Sequence, residues 1–170
     1  SEGATVALVA RTTDPRPSLP GTLQETLSII EAEGGRAAVV QADLIDPLDR
    51  TRIIEQVENE LGPVDILINN AGSSPAGRIQ DLKDETWAAA FGLKFMGYMR
   101  CARAVLPEMR ARRWGRIVNV IGRGGHNPSA GYILGGSFNA ALLNFTRSLS
   151  FDCAPDNITV NGVNPGATDT

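Results

Sequence analysis

Apolar runs alternate with helical stripes five times along this chain. Thr5 to Ala10 (TVALVA) is continuous, apolar and β-branched, the pattern of a strand buried on both faces of a parallel sheet. Asp14 to Gly21 carries three prolines and reads as a loop. Thr22-Leu23-Gln24-Glu25 is a capping box, and Leu23, Leu27 and Ile30 then share one helix face until Gly34-Gly35. Ala37 to Ala42 is a second strand. Asp46 is a cap with proline at the first helical position, and Ile53, Ile54, Val57 and Leu61 carry the helix to Gly62-Pro63. Val64 to Ile68 is a third strand that runs into Asn69-Asn70-Ala71-Gly72. A long helix from Asp84 passes through Trp87, Phe91, Phe95, Tyr98, Ala102 and Leu106 to Arg112. Arg116 to Ile121 is the fourth strand, Gly122 to Gly136 a glycine-rich loop, Phe138 to Phe151 a helix, and Ile158 to Val163 a fifth strand ending in Asn164-Pro165-Gly166.

Strands that alternate with helical crossovers predict a doubly wound α/β fold, with a mainly parallel sheet between two helical layers. No internal repeat or second domain interrupts residues 1–170. In such sheets ligands sit outside the carboxyl ends of the strands. That rule selects Arg11-Thr12, Asp43-Leu44, Asn69 to Gly72, Gly122 to Gly125 and Pro165 to Thr168 as candidate site positions.

Composition narrows the function classes. Among 170 residues, Lys+Arg number 16 against 19 Asp+Glu, a net charge of -3. That balance argues against a non-specific nucleic-acid binder, which needs a basic face. No apolar run approaches the roughly 18 residues of a membrane span. Cys101 and Cys153 lack C-x-x-C spacing and read as buried thiols of a reducing compartment, so the expected address is the cytoplasm. The single His126 excludes a His-rich metal site, and no metal is expected. Only Lys83 and Lys94 are lysines.

Three segments carry a resemblance to a known family. Asp65 to Gly72 (DILINNAG) resembles the N-N-A-G segment of the short-chain dehydrogenase/reductases. Gly115 to Val120 (GRIVNV) resembles their next core strand. Thr146 to Leu149 (TRSL), followed by Asn157 to Gly166 (NITVNGVNPG), resembles their helix-to-strand segment and P-G turn. The resemblance covers nearly the whole chain and implies a Rossmann-like domain over 1–170. It also implies a nicotinamide dinucleotide, and hydride transfer to or from a small-molecule carbonyl or alcohol. The implied cofactor contacts are Asn69, Asn70, Ala71 and Gly72 by close backbone approach, Asp43 and Leu44 at the adenine, and the Pro165, Gly166 and Thr168 turn. At the end of the first strand the family would use an acid to select NAD; this chain has Arg11 and Thr12, which can clamp a 2′-phosphate, so NADP(H) is expected over NAD(H).

Two departures from the family stand out. Gly3 to Val6 already reads as the family's second strand, so its first strand, its G-x-x-x-G-x-G loop and its C-terminal segment are expected to lie outside this sequence, which is then a piece of a longer chain. The second departure is chemical. The family places a Ser after the fourth strand read here, a Tyr thirteen residues on, and a Lys four beyond; these positions are Gly122, Gly135 and Asn139. The family's Asn in the preceding helix falls on Lys94. Gly has no proton to give. The remaining candidates are Tyr132, three residues before the expected Tyr, with Lys94 as a nearby cation that favours its ionisation, and more weakly His126.

The expectation is therefore an NADP(H)-dependent oxidoreductase with a remodelled site, working as a homodimer or homotetramer through its two long helices. The alternative is a catalytically inactive relative kept as a ligand-binding or oligomer-partner subunit. A nucleotide-free hydrolase or lyase is a distant third, because fold alone does not assign chemistry.

Overall fold

The computed structural model describes residues 3–13 and 21–166, without the side chains at 47, 48, 50 and 51. The proline-rich stretch 14–20 and the candidate Thr168 lie outside the described residues. The chain divides into two compact units, Ser1–Pro63 and Val64–Thr170.

The first unit is β1 (Thr5–Ala10), α1 (Leu23–Ala32), β2 (Arg36–Gln41) and α2 (Pro47–Leu61). β1 and β2 pair in parallel, Thr5 opposite Arg36 through Ala10 opposite Gln41. The capping box is formed in full: the Glu25 N–H donates to Thr22 Oγ1 at 3.0 Å, and the Thr22 N–H donates to Glu25 Oε2 at 2.8 Å. Val40 is buried on β2, with Ile53, Ile54 and Val57 on α2.

The second unit is β3 (Ile66–Asn69), α3 (Asp84–Ala90), a π-helical turn (Phe91–Met96), α4 (Gly97–Arg112), β4 (Gly115–Val120), α5 (Ile133–Cys153) and β5 (Ile158–Val163). Its three strands pair in parallel in the order β3-β4-β5. The alternating pattern of β4 buries Gly115, Ile117 and Asn119. With Ile158 and Val160 of β5, these side chains face α4 and α5. Two aromatic clusters lock the helices together. Phe91 meets Phe138 edge-on at 6.0 Å between ring centres, and Phe95 meets Phe145 at 5.9 Å.

Several sequence expectations need correction. The 122–136 stretch is not all loop: a 3₁₀ turn covers Arg123–Gly125, and α5 begins at Ile133, five residues before the apolar stripe starts. Glycines at 135 and 136 hid that first turn, since glycine is a poor helix former. The long helix is broken by its π turn, a local widening that often marks a functional position. β1 is not the doubly buried strand that its run predicts, since its residues are half-buried or exposed; β3 is shorter than its apolar run. Ile66 and Ile68 are 53% and 63% exposed, because they point to the sheet face opposite α4 and α5. No described helix is long and apolar enough to cross a membrane.

Candidate functional site

Carboxyl ends of parallel strands place loop backbone together at one edge of a sheet. In the second unit, the end of β3 is anchored by a buried polar ladder. Asn119 is fully buried, so its amide must find partners. It accepts from Asn69 Nδ2 at 2.9 Å and donates to Thr146 Oγ1 at 2.9 Å, tying β3, β4 and α5 together one residue before Asn70. Beyond that anchor Asn70, Ala71 and Gly72 are exposed. At the end of β4, Gly122 takes φ +118, a conformation that side chains rarely adopt. The Pro165 carbonyl after β5 accepts from the Arg123 N–H at 3.3 Å, which joins the P-G turn to this loop; Pro165 and Gly166 are exposed.

Lys94 lies in the π turn. Its ammonium donates to the Ile121 carbonyl at 2.5 Å, and it lies 5.4 Å from the Phe138 ring centre and 6.0 Å from that of Tyr98. Its stem passes so close to Gly72 that a Cβ there would meet Cδ at 3.0 Å. Burial among these rings lowers its pKa to about 8. No carboxylate pairs with it among the described residues.

Tyr132 precedes α5. Its half-buried ring lies directly over Gly135, where any Cβ would overlap the ring carbons, and it also covers Gly124. Two glycines thus make the space that the ring fills. Gly135 is the residue at which the family pattern expects a phenol, so the structure sets a phenol ring against that position from three residues upstream. The adjoining loop is stapled here: the Gly77 N–H donates to the Gly131 carbonyl at 2.9 Å, and Gly77 pairs with Tyr132 as a parallel bridge. A groove of about 500 Å³ opens beside Tyr132, walled by Gly124, Gly125, Pro128, Ser129 and Ile133, with no charged side chain in its lining.

The sequence predicts Lys94 as a cation near Tyr132; its ammonium donates to the Ile121 carbonyl, and among the described residues no hydrogen bond joins it to Tyr132. Asn139, at the family's Lys position, is buried beside Gly122 and its Oδ1 has no partner among the described residues. His126 is exposed on the loop. Tyr98 is removed from consideration as an acid: it is fully buried, donates to the Val120 carbonyl at 3.0 Å, and burial raises its pKa. Sequence reasoning missed Ser74, whose buried Oγ crowds the same point over Gly135 as the Tyr132 ring. Only its closeness to the N-N-A-G segment could have drawn attention to it.

In the first unit Arg11 is exposed and Thr12 half-buried after β1; the Arg11 carbonyl accepts from Gln41 Nε2 at 3.1 Å. Asp43 closes a turn after β2, its Oδ1 accepting from the Ile45 N–H at 2.9 Å, with Leu44 half-buried beside it. Among the described residues no group of three His, Cys, Asp or Glu could hold a metal.

A family model described as short chain dehydrogenase matches residues 1–170. The chain is 36% identical over 151 residues to 2,3-dihydro-2,3-dihydroxybenzoate dehydrogenase of Bacillus subtilis (strain 168), covering 89% of this chain and 58% of that protein. It is 33% identical over 133 residues to the NADPH-dependent reductase BacG of the same organism, covering 77% of this chain and 51% of that protein. Among solved structures, L-sorbose reductase from Gluconobacter frateurii, complexed with NADPH and L-sorbose, is similar at a TM-score of 0.88 and 34% identity, over 97% of this chain and 60% of that one. The chain therefore spans between half and three-fifths of the length of these proteins.

Proposed function

The chain belongs to the short-chain dehydrogenase/reductase family, and from that premise we propose that it is an NADP(H)-dependent oxidoreductase acting on a carbonyl or alcohol, with Tyr132 as its proton-transfer group. The observation that carries this reading is the Tyr132 ring lodged over Gly135. A phenol ring lies against the residue at which the family pattern expects its tyrosine, although that residue is glycine.

Each unit, taken by itself, carries residues of the kind a dinucleotide uses. Asn70, Ala71 and Gly72 offer exposed, small-residue backbone at the end of β3, and the space a Gly72 side chain would need is taken by the Lys94 stem. Pro165 and Gly166 would line the same end, and Thr168 follows them in the sequence. In the first unit Arg11 and Thr12 would take a ribose 2′-phosphate, and Asp43 and Leu44 the adenine. A guanidinium, with no acid at that position, favours NADP(H) over NAD(H). The NADPH named with one relative and with one solved complex supports the same preference.

When bound, a reduced nicotinamide supplies a hydride to the carbonyl carbon. This chain's own part is to hold the substrate oxygen and give it a proton. Tyr132 donates from the rim of the uncharged groove, which suits a neutral, largely apolar substrate face. Lys94 acts on that proton transfer through its field; its ammonium is half-buried and without a carboxylate among the described residues, so its charge is weakly screened. Homo-oligomerisation through α4 and α5 belongs to the same proposal, supported by Phe151, 70% exposed near the end of α5. Fluorescence titration of NADPH and NADH into the full polypeptide tests the cofactor assignment. Tight NADPH binding with weaker NADH binding is expected; no binding of either overturns it.

A further inference from the structure

Ser74 carries a buried hydroxyl with no hydrogen-bond partner among the described residues. A native fold rarely leaves such a group unsatisfied, and a catalytic role is one explanation for an exception. Its surroundings say which role that is. Ser74 Oγ and Tyr132 Cζ, the carbon that bears the phenol oxygen, crowd one point over the Gly135 Cα. The loop carrying Ser74 is fixed there by the Gly77–Gly131 hydrogen bond and the Gly77–Tyr132 bridge. Gly122 has no side chain and so supplies no hydroxyl, and Asn139 Nδ2 lies 3.2 Å from where one would begin.

We propose that Ser74 orients the substrate oxygen toward Tyr132, replacing from the β3 loop the serine that the family carries where this chain has Gly122. The assignment rests on the reading of Tyr132 as the acid. In the reduction, the hydride adds to the carbonyl carbon, the C=O π pair moves to oxygen, and that oxygen takes the phenol proton. Ser74 keeps its own proton and donates a hydrogen bond to the same oxygen, a bond that strengthens as negative charge develops.

The test uses the full polypeptide with NADPH and phenanthrenequinone, a reactive α-diketone probe, followed by loss of NADPH absorbance. Ser74→Ala is expected to lower kcat roughly 10- to 100-fold with KM nearly unchanged, as a bond made mainly in the transition state should. Ser74→Thr should recover most of the loss, and Ser73→Ala, at an exposed neighbour, none should be seen. The melting temperature of Ser74→Ala should not fall, since the hydroxyl has no partner to lose; a fall that tracks the loss of rate would assign Ser74 a structural role instead. If Tyr132→Phe abolishes turnover while Ser74→Ala leaves kcat intact, the Ser74 assignment is wrong and the acid assignment stands. If Tyr132→Phe leaves turnover intact, or the wild type binds NADPH without reducing the diketone, the underlying reading falls and Ser74 with it.

Discussion

Gly135→Ala separates a lodged Tyr132 ring from an incidental loop aromatic. Replacing glycine by alanine inside a helix ordinarily stabilises a protein by roughly 0.5–1 kcal/mol, because glycine loses more backbone freedom on folding. At this position the added methyl group would overlap the Tyr132 ring and crowd Ser74 Oγ. Overpacking of that kind costs about 1–3 kcal/mol when a stiff group must shift. The Tyr132 ring is stiff and half-buried, so the single variant should be destabilised by about 1–2 kcal/mol net. In a Tyr132→Ala background the obstruction is gone except for the Ser74 hydroxyl, which can rotate. The same Gly135→Ala change should then be neutral or stabilising. The coupling energy of the cycle should exceed about 1 kcal/mol, within the range measured for residues in contact. Urea unfolding of the four proteins at one temperature, with unchanged m-values, measures it. Equal stabilisation by Gly135→Ala in both backgrounds would refute the placement of the ring, and with it the idea that Tyr132 fills the vacated position.

Asn119→Ala should lose about 2–4 kcal/mol of stability, because two hydrogen bonds go and Asn69 and Thr146 are left buried without them; chemical denaturation measures this, and a loss below about 1 kcal/mol contradicts the ladder. Lys94 has its folded pKa lowered from 10.5 to about 8, so the folded state gives up this proton first as pH rises. Its penalty is in full force below about pH 8 and fades between there and 10.5, so wild-type stability should rise relative to Lys94→Met over that window; parallel curves for the two proteins would refute the desolvation of the amine. Arg11→Ala should weaken NADPH binding roughly 10- to 100-fold and leave NADH nearly unchanged, as measured by titration; equal losses for both would show that Arg11 does not read the 2′-phosphate.

Much of the fold was legible because local rules and tertiary structure agreed. Thr22 and Glu25 form a capping box in any context, and the apolar runs at 5–10 and 158–163 became β1 and β5 with the boundaries their pattern suggests. Reading failed where tertiary packing overrode local preference. Glycines at 135 and 136 argue against a helix, yet α5 starts at Ile133; the glycine at 135 answers to packing, since the Tyr132 ring fills the space of a side chain there. The apolar run at 64–68 did not show that alternate residues of β3 would face away from α4 and α5. That Asn70 to Gly72 follow the end of β3 was legible from the apolar run that precedes them. Ser74 was not, since only the spatial stapling of Gly77 to Gly131 and Tyr132 brings it to the phenol. The surroundings of Lys94 were not legible, because the Ile121 carbonyl holds its ammonium and no sequence spacing could reveal that.

The central claim is that a phenol three residues out of the family's register performs its proton transfer. Turnover of NADPH and phenanthrenequinone by Tyr132→Phe, measured beside the affinity of the same variant for NADPH, tests it most directly. A loss of roughly 10²- to 10⁴-fold in kcat with NADPH affinity unchanged is expected. Undiminished turnover by the phenylalanine variant would contradict it.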